Sequence, residues 1–203
     1  MNIEIESKYR VDDLADAEQK LIALGWVKKS EKHLIDTYFI TEDAFSLMRP
    51  DFDNGGKRAN FRLRHDVMRN TFSFELKRHI PGVSDQHDEF EVTIADAKSA
   101  ETLVAILGEF YFVELCRVDK KRVSYVKNGL TVDLDSVADL GDFIEIEASS
   151  DMTDPDAAIA GIAAVADALT LDPVTKTAWG YSDLLAIAKF GNAFNYPGKE
   201  NIV

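Results

Sequence analysis

The sequence predicts an α+β fold built on antiparallel strands, and three observations carry that expectation. Many short segments alternate apolar and polar residues with the period of two that marks a strand with unlike faces. Turn signals, Asn128-Gly129 above all, join neighbouring segments as hairpins. The apolar faces of these strands are strongly hydrophobic and need cover, and segments of helical period are present to supply it.

The first strand is Ile3 to Arg10, with Ile3, Ile5 and Ser7 on one face and Glu4, Glu6 and Lys8 on the other. Asp12 or Asp13 can cap a helix carrying Leu14, Ala17, Leu21 and Leu24, which Gly25 ends. An extended pattern runs from Trp26 to Ile40 and is clearest from Leu34 to Phe39. Residues 41–57 read as a loop punctuated by Pro50, Asn54, Gly55 and Gly56, and residues 48–58 as an extra loop beside the next strand. Gly55-Gly56-Lys57 lacks the spacing and the following Ser or Thr of a phosphate loop.

Asn60 to Arg64 and Thr71 to Lys77 form a hairpin about Met68-Arg69-Asn70, and Glu89 to Val92 alternates as a third strand. Asp96 caps a helix through Ala100, Leu103, Val104 and Leu107, closing near Gly108. A long strand from Phe112 to Tyr125 returns through Leu130 to Asp135, and Phe143 to Ala148 follows. Asp154-Pro155 opens a third helix with Pro at its first position, and Tyr181 to Lys189 is a fourth. One domain is expected over residues 1–189, with residues 190–203 a loose tail lacking periodicity.

With 203 residues the chain can bury a real core. Its net charge of -13 argues against a nucleic-acid backbone as main partner. No run approaches a membrane span, and charged Glu4, Glu6 and Lys8 stand where a signal peptide would be apolar, so a cytoplasmic setting is expected. Cys116 is the single cysteine, which excludes an intrachain disulfide. The four histidines show no metal-ligand spacing and read as surface or packing residues.

The polar strand faces carry charges of both signs. They are Glu4, Glu6 and Lys8; Arg62 and Arg64; Glu75 and Lys77; Glu89 and Glu91; Lys120 and Arg122; Asp133 and Asp135; Glu145 and Glu147. Two arrangements fit this pattern. The sheet can show its charged face to water. Alternatively it curls into a barrel whose charged face lines a wet tunnel, where the charges offset one another or bind a small anion with its metal. Carboxylates suit Mg²⁺ or Mn²⁺, and Arg and Lys suit phosphate oxygens.

The ordered set of motifs resembles the CYTH superfamily, the triphosphate tunnel metalloenzymes that include class IV adenylate cyclases and thiamine and inorganic triphosphatases. ExExK is present as Glu4-Ile5-Glu6-Ser7-Lys8. The likeness continues through Asp36-Thr37-Tyr38-Phe39, Arg62-Leu63-Arg64, Lys77, Glu89-Phe90-Glu91 and Lys120-Lys121-Arg122. The stretch from Leu134 to Glu147 is similar to the class IV cyclase branch, and Tyr181 to Leu185 resembles that group's closing helix.

The resemblance implies an eight-stranded antiparallel β-barrel, a tunnel with a charged interior and helices packed on the outside. It implies metal ligands at Glu4, Glu6, Asp135, Glu145 and Glu147, and triphosphate contacts at Lys8, Arg62, Arg64, Lys77, Lys120 and Arg122. Glu4, Glu6, Lys8, Glu89 and Glu91 are the expected catalytic set, Glu89 and Glu91 holding metal or orienting the cations. The expected ligand is ATP, thiamine triphosphate or tripolyphosphate, with Mg²⁺ or Mn²⁺, and the expected assembly is a homodimer. Cyclisation of ATP to cyclic AMP and pyrophosphate is the favoured activity. Hydrolysis of a terminal phosphate is the alternative, and a non-catalytic binding module ranks third.

Overall fold

The computed structural model of the chain describes residues 3–41, 59–79, 86–148, 154–177 and 179–190. The extra loop and, from residue 191 on, the tail expected from sequence lie outside these residues, as do the side chains of Glu4 and Lys77. In chain order the elements are β1 (Ile3–Val11), α1 (Leu14–Ala23), β2 (Val27–Thr41), β3 (Ala59–Asp66), β4 (Thr71–His79), β5 (Gln86–Ile94) and α2 (Ala97–Glu109). There follow β6 (Phe112–Lys127), β7 (Leu130–Val137), β8 (Gly141–Ala148), α3 (Pro155–Ala168), β9 (Lys176–Thr177) and α4 (Tyr181–Phe190).

This is an α+β architecture: one large antiparallel sheet with four helices among the described residues. The strand order is β5-β4-β3-β2-β6-β7-β8-β1-β9, and β5 makes a further pairing with β1 through Ile3↔Asp88, Glu4↔His87 and Ile5↔Gln86. The two-residue β9 is too short to leave a periodic signal in the sequence.

Local chemistry explains the boundaries. The Asp13 carboxylate accepts from the Ala15 amide at 2.7 Å and caps α1, and Gly25 takes φ 78° just past its end. Asp96 caps α2 by accepting from the Ser99 amide at 2.7 Å. That helix passes through Gly108, and Tyr111 at φ 62° takes the left-handed position instead. Asn128 and Gly129 have φ 49° and 76°, the positive pair that a two-residue primed hairpin turn demands. Between β3 and β4 the Asp66 carboxylate accepts from the Met68 and Arg69 amides and organises a longer turn.

The main core lies on the apolar face of β1, β7 and β8, beneath α1 and α3. Leu21, Val132, Ile144 and Ile146 are fully buried there and pack with Tyr9, Trp26, Ile162 and Leu169. Each such side chain contributes roughly 1.5–3 kcal/mol, and truncating Ile146 to Ala would cost about 2–5 kcal/mol.

A second cluster joins Val118, Val137, Leu140, Phe143 and Tyr181, with Leu184 and Leu185 of α4 against it. By register Val118 stands opposite Asp36 and Phe143 opposite Asp135. This cluster therefore shares the charged face. The sequence puts the helices on the apolar side of the sheet; α4 departs from that and seats Tyr181 among the charges.

Candidate functional site

One row of polar side chains crosses seven strands, because pleated partners directly opposite each other point the same way. From β1 the register carries Lys8 to Glu145 and Glu6 to Glu147, then Glu145 to Asp133 on β7. Asp133 and Asp135 stand opposite Ser124 and Arg122 of β6. Arg122 and Lys120 face Lys32 and Leu34 of β2. Asp36 and Tyr38 then face Arg64 and Arg62 of β3, which face Ser73 and Glu75 of β4.

Two ion-pair networks form along this row. In the first, Arg64 donates to both oxygens of Asp36 at 2.7 and 2.8 Å and lies 3.2 Å from Glu75. Arg62 donates through Nε to Glu75 at 2.8 Å and through Nη1 to the Tyr38 hydroxyl at 2.8 Å, and it stands 3.6 Å from Asp36. Two guanidinium groups thus meet two carboxylates. Asp36 is only 1% exposed, a position that a carboxylate occupies only with its charge matched.

In the second, Arg122 contacts Asp133 at 2.5 Å, donates through Nε to Asp135 at 2.6 Å, and reaches Glu145 through Nη2. Lys8 pairs with Glu145 at 2.7 Å, and Lys120 lies 3.8 Å from Asp135. The Tyr181 hydroxyl donates to Asp135 at 2.9 Å, and its ring lies 4.4 Å from the Lys8 ammonium and 5.0 Å from that of Lys120. Three cations thus meet three carboxylates around one phenol.

The titration behaviour follows from this crowding. Burial pushes the Asp36 carboxyl up, but Arg62 and Arg64 more than reverse it and leave it well below the usual range. Glu145 behaves alike: burial raises it, and Lys8, Arg122 and Lys120 together bring it far down. Asp133 is raised by burial, with Arg122 opposing. Lys120 is lowered to about 8, first by burial and then by neighbouring Arg122. It also feels the charge of Asp36, which ties the two networks into one electrostatic unit.

A cavity of about 200 Å³ opens beside the second network, lined by Lys29, Lys32, Arg122, Ser124, Asp133 and Glu147 among others, every described side chain being polar. The Asp133 Oδ1 atom is buried with no hydrogen-bond partner among the described residues. An orphaned carboxylate oxygen beside Glu147 suits a hard cation such as Mg²⁺ or Mn²⁺. No ready-made group of three metal-binding side chains is present among the described residues.

The sequence-predicted residues fall into three groups. Lys8, Arg62, Arg64, Lys120, Arg122, Asp135 and Glu145 come together in the paired networks. Glu6 and Glu147 sit opposite each other across β1 and β8, at the cavity end of the row. Glu89 and Glu91 share the polar face by register with Lys77 and Glu75, but both are exposed, and among the described side chains neither enters the networks. Asp135 is fully buried, its oxygens taken up by Arg122 and Tyr181, so it already acts as a counter-ion.

Asp36, Tyr38, Glu75, Asp133 and Tyr181 belong to the site without having been singled out as site residues from the sequence. The alternation of Asp36 with Tyr38 was the available signal for the first two. Arg117, an exposed partner of Glu114 at 2.8 Å, stays outside. His33 pairs with Asp119, and His65 stacks on Phe72, both away from the row.

The charged side of this two-faced antiparallel sheet concentrates paired Arg, Lys and carboxylate groups. The CYTH domain matches residues 2–181, and the chain belongs to that family. The family binds triphosphate substrates, and its triphosphate tunnel enzymes depend in general on divalent metal. A Methanocaldococcus jannaschii protein named "Putative adenylate cyclase" is 28% identical over 170 residues, covering 83% of this chain and 90% of its own. A solved Pyrococcus horikoshii structure, 25% identical, superposes with a TM-score of 0.73 over 89% of this chain and 98% of its own. A Hippeastrum protein described as a "putative adenylyl cyclase" with a dominant triphosphatase activity shares the fold, with a TM-score of 0.65 at 16% identity over 94% and 96% of the two chains.

Proposed function

We propose that this chain is a metal-dependent enzyme acting on a triphosphate held along its charged face, in the manner of a class IV adenylate cyclase. The observation that carries the reading is the single linked row of Lys8, Arg62, Arg64, Lys120 and Arg122, each cation already oriented by a carboxylate. Groups held in place before the reaction stabilise developing charge without reorganising. We read the charged face as the lining of an eight-stranded tunnel barrel; the short pairing of β5 with β1, from near the two ends of the strand order, supports this.

In this reading Lys8, Arg62, Arg64, Lys77, Lys120 and Arg122 bind the phosphate oxygens. Glu4, Glu6, Glu145 and Glu147 hold Mg²⁺ or Mn²⁺, with Asp135 behind them and the orphan oxygen of Asp133 as an added donor. Bound there, the metal would neutralise phosphate charge and activate the nucleophile. The ATP 3'-hydroxyl gives its proton to solvent as its oxygen bonds to the α-phosphorus, and the bond from that phosphorus to the α,β-bridging oxygen breaks, giving cyclic AMP and pyrophosphate. Lys8 and Lys120, fixed by the Tyr181 ring, orient the phosphates, and the Arg residues take up charge on the oxygens that gain it. Glu89 and Glu91 orient cations from the exposed end of the row. The setting this reading expects is a cytoplasmic homodimer; no described helix is long and apolar enough to cross a membrane.

A second reading is hydrolysis of the terminal phosphate of thiamine triphosphate or tripolyphosphate. For tripolyphosphate it is favoured by the cavity, whose described lining is polar throughout and suits a ligand with no organic ring. The Hippeastrum protein's described activity points the same way. The deciding experiment offers ATP, thiamine triphosphate and tripolyphosphate separately with Mg²⁺ or Mn²⁺. Cyclic AMP with pyrophosphate from ATP is the expected product. Phosphate released from tripolyphosphate, without cyclic AMP, makes the protein a triphosphatase. No metal-dependent product from any of the three removes both readings.

A further inference from the structure

Every described Arg and Lys of the two networks is matched by a carboxylate, yet two lysines at the cavity are not. Lys32 stands opposite Arg122 in the β2–β6 register, half-buried, and has no ion pair among the described residues. Lys29 is the extra residue of a β-bulge: the pairing steps from Lys28↔Tyr125 to Ser30↔Ser124 and leaves Lys29 with no opposite number on β6. A bulge re-aims the side chain it carries. Here it brings Lys29 to the same cavity as Lys32, Arg122 and Glu147, while its neighbour Lys28 is held by Glu31 at 2.9 Å.

From these positions we propose that Lys29 and Lys32 form a further anion subsite that takes the terminal phosphate of the substrate. The inference rests on the triphosphate reading above and extends it to chain length. The central cations are shared with protein carboxylates, so a phosphate that binds them competes with those partners. A phosphate reaching Lys32 meets a positive charge that forms no ion pair among the described residues. With the first two phosphates seated on Lys8, Lys120 and Arg64, the third would extend to this end, and a diphosphate seated on the same three cations would stop short of it. The subsite therefore selects triphosphate over diphosphate. Its uniformly polar lining fits a phosphate end and not a nucleoside base.

The test is calorimetric titration of tripolyphosphate and of pyrophosphate in EDTA, where metal-dependent turnover is off. Parent protein, Lys32→Met, Lys29→Met and Arg64→Ala are compared. Met keeps the length of the side chain and removes its charge. Lys32→Met should weaken tripolyphosphate about tenfold and leave pyrophosphate within about twofold, a loss expected for one charge-assisted contact. Lys29→Met should do the same more weakly, being more exposed, and Arg64→Ala should weaken both ligands. With metal restored, Lys32→Met should raise KM for the triphosphate and leave kcat unchanged. A parent that binds tripolyphosphate, an Arg64→Ala variant that loses it and a Lys32→Met variant equal to the parent would overturn the subsite alone. Equal weakening of both ligands by Lys32→Met would overturn its selectivity for the terminal phosphate. A parent that binds neither ligand in EDTA nor after Mg²⁺ or Mn²⁺ is added removes the triphosphate reading and the subsite with it.

Discussion

Asp36→Asn is the sharpest test of how the charged face is held. The substitution keeps shape and removes the charge that two guanidinium groups share. Arg64 grips both oxygens at 2.7 and 2.8 Å, and Arg62 stands 3.6 Å away. Removing one partner from a buried pair costs about 3–5 kcal/mol, because the other charge is left unmatched. Asn retains one acceptor oxygen, and Glu75 still faces both arginines, so the lower end of about 3 kcal/mol applies. For a domain of this size each kcal/mol moves Tm by about 2–4 °C, giving a drop of roughly 6–12 °C at pH 7.

The same residue sets a pH dependence whose sign is fixed. Burial raises the Asp36 carboxyl and the arginines more than reverse it, so its folded pKa lies below the unfolded one. Its stabilisation is complete above about pH 4 and is lost as pH falls toward the folded value. Asn does not titrate, so the gap between parent and variant should narrow by about 1 kcal/mol on going from pH 7 to pH 3. Thermal unfolding followed by circular dichroism across that range reads both effects. A variant melting within about 2 °C of the parent at pH 7, or a gap that holds constant into acid, would refute the counter-ion role.

Three further outcomes are expected. Glu6→Gln and Glu147→Gln should each lower metal-dependent turnover by more than the roughly 10–100-fold typical of losing a ligand's supporting partner; full turnover with unchanged metal titration would show the metal wall to be elsewhere. Arg62→Ala and Arg64→Ala should melt below the parent, since Asp36 and Glu75 lose a partner. Tripolyphosphate at about 100 times its Kd should raise parent stability by about 2.7 kcal/mol and that of either variant by less than half as much; equal shifts would place the phosphate contacts elsewhere. The Cys116 thiol, pushed up to about 12 by burial with Asp183 and Glu114 adding to it, should resist a thiol reagent in the folded protein and react once it is unfolded; rapid native labelling would contradict that burial.

Local signals carried most of the fold. Asp13, Asp96 and Asp154 sit at the helix starts where capping chemistry puts them, and Asn128-Gly129 turns as its dihedral demands require. What the sequence hides is partner choice between distant strands. Asp36 reads as one polar residue in an extended run, and its meaning comes from Arg64, 28 residues away. Tyr181 opens a short helix with a plausible apolar stripe, yet its hydroxyl reaches Asp135 across 46 residues. Strand parity alone also leaves out Lys29, because a bulge shifts the count and appears only when β2 is set against β6. Glu89 and Glu91 have the right parity, but nothing in β5 itself says how exposed its outer stretch is.

The internal pairing also bears on why the family's triphosphate enzymes need metal. The described networks are balanced: Arg62 and Arg64 against Asp36 and Glu75, and Lys8, Lys120 and Arg122 against Asp133, Asp135 and Glu145. Balance lets so many charges stay buried in the free protein at tolerable cost. It also means that a bare polyphosphate entering the row brings uncompensated negative charge and repels the very carboxylates that orient the cations. A ligand carrying its own divalent cation removes that conflict, because the carboxylates then gain a partner while the cations, already held in place, offer their remaining donors to phosphate oxygens. Lys29 and Lys32 supply the only described positive charge at the cavity that no carboxylate claims. If the terminal phosphate seats there as proposed, a chain long enough to reach them gains attraction that a shorter one forgoes.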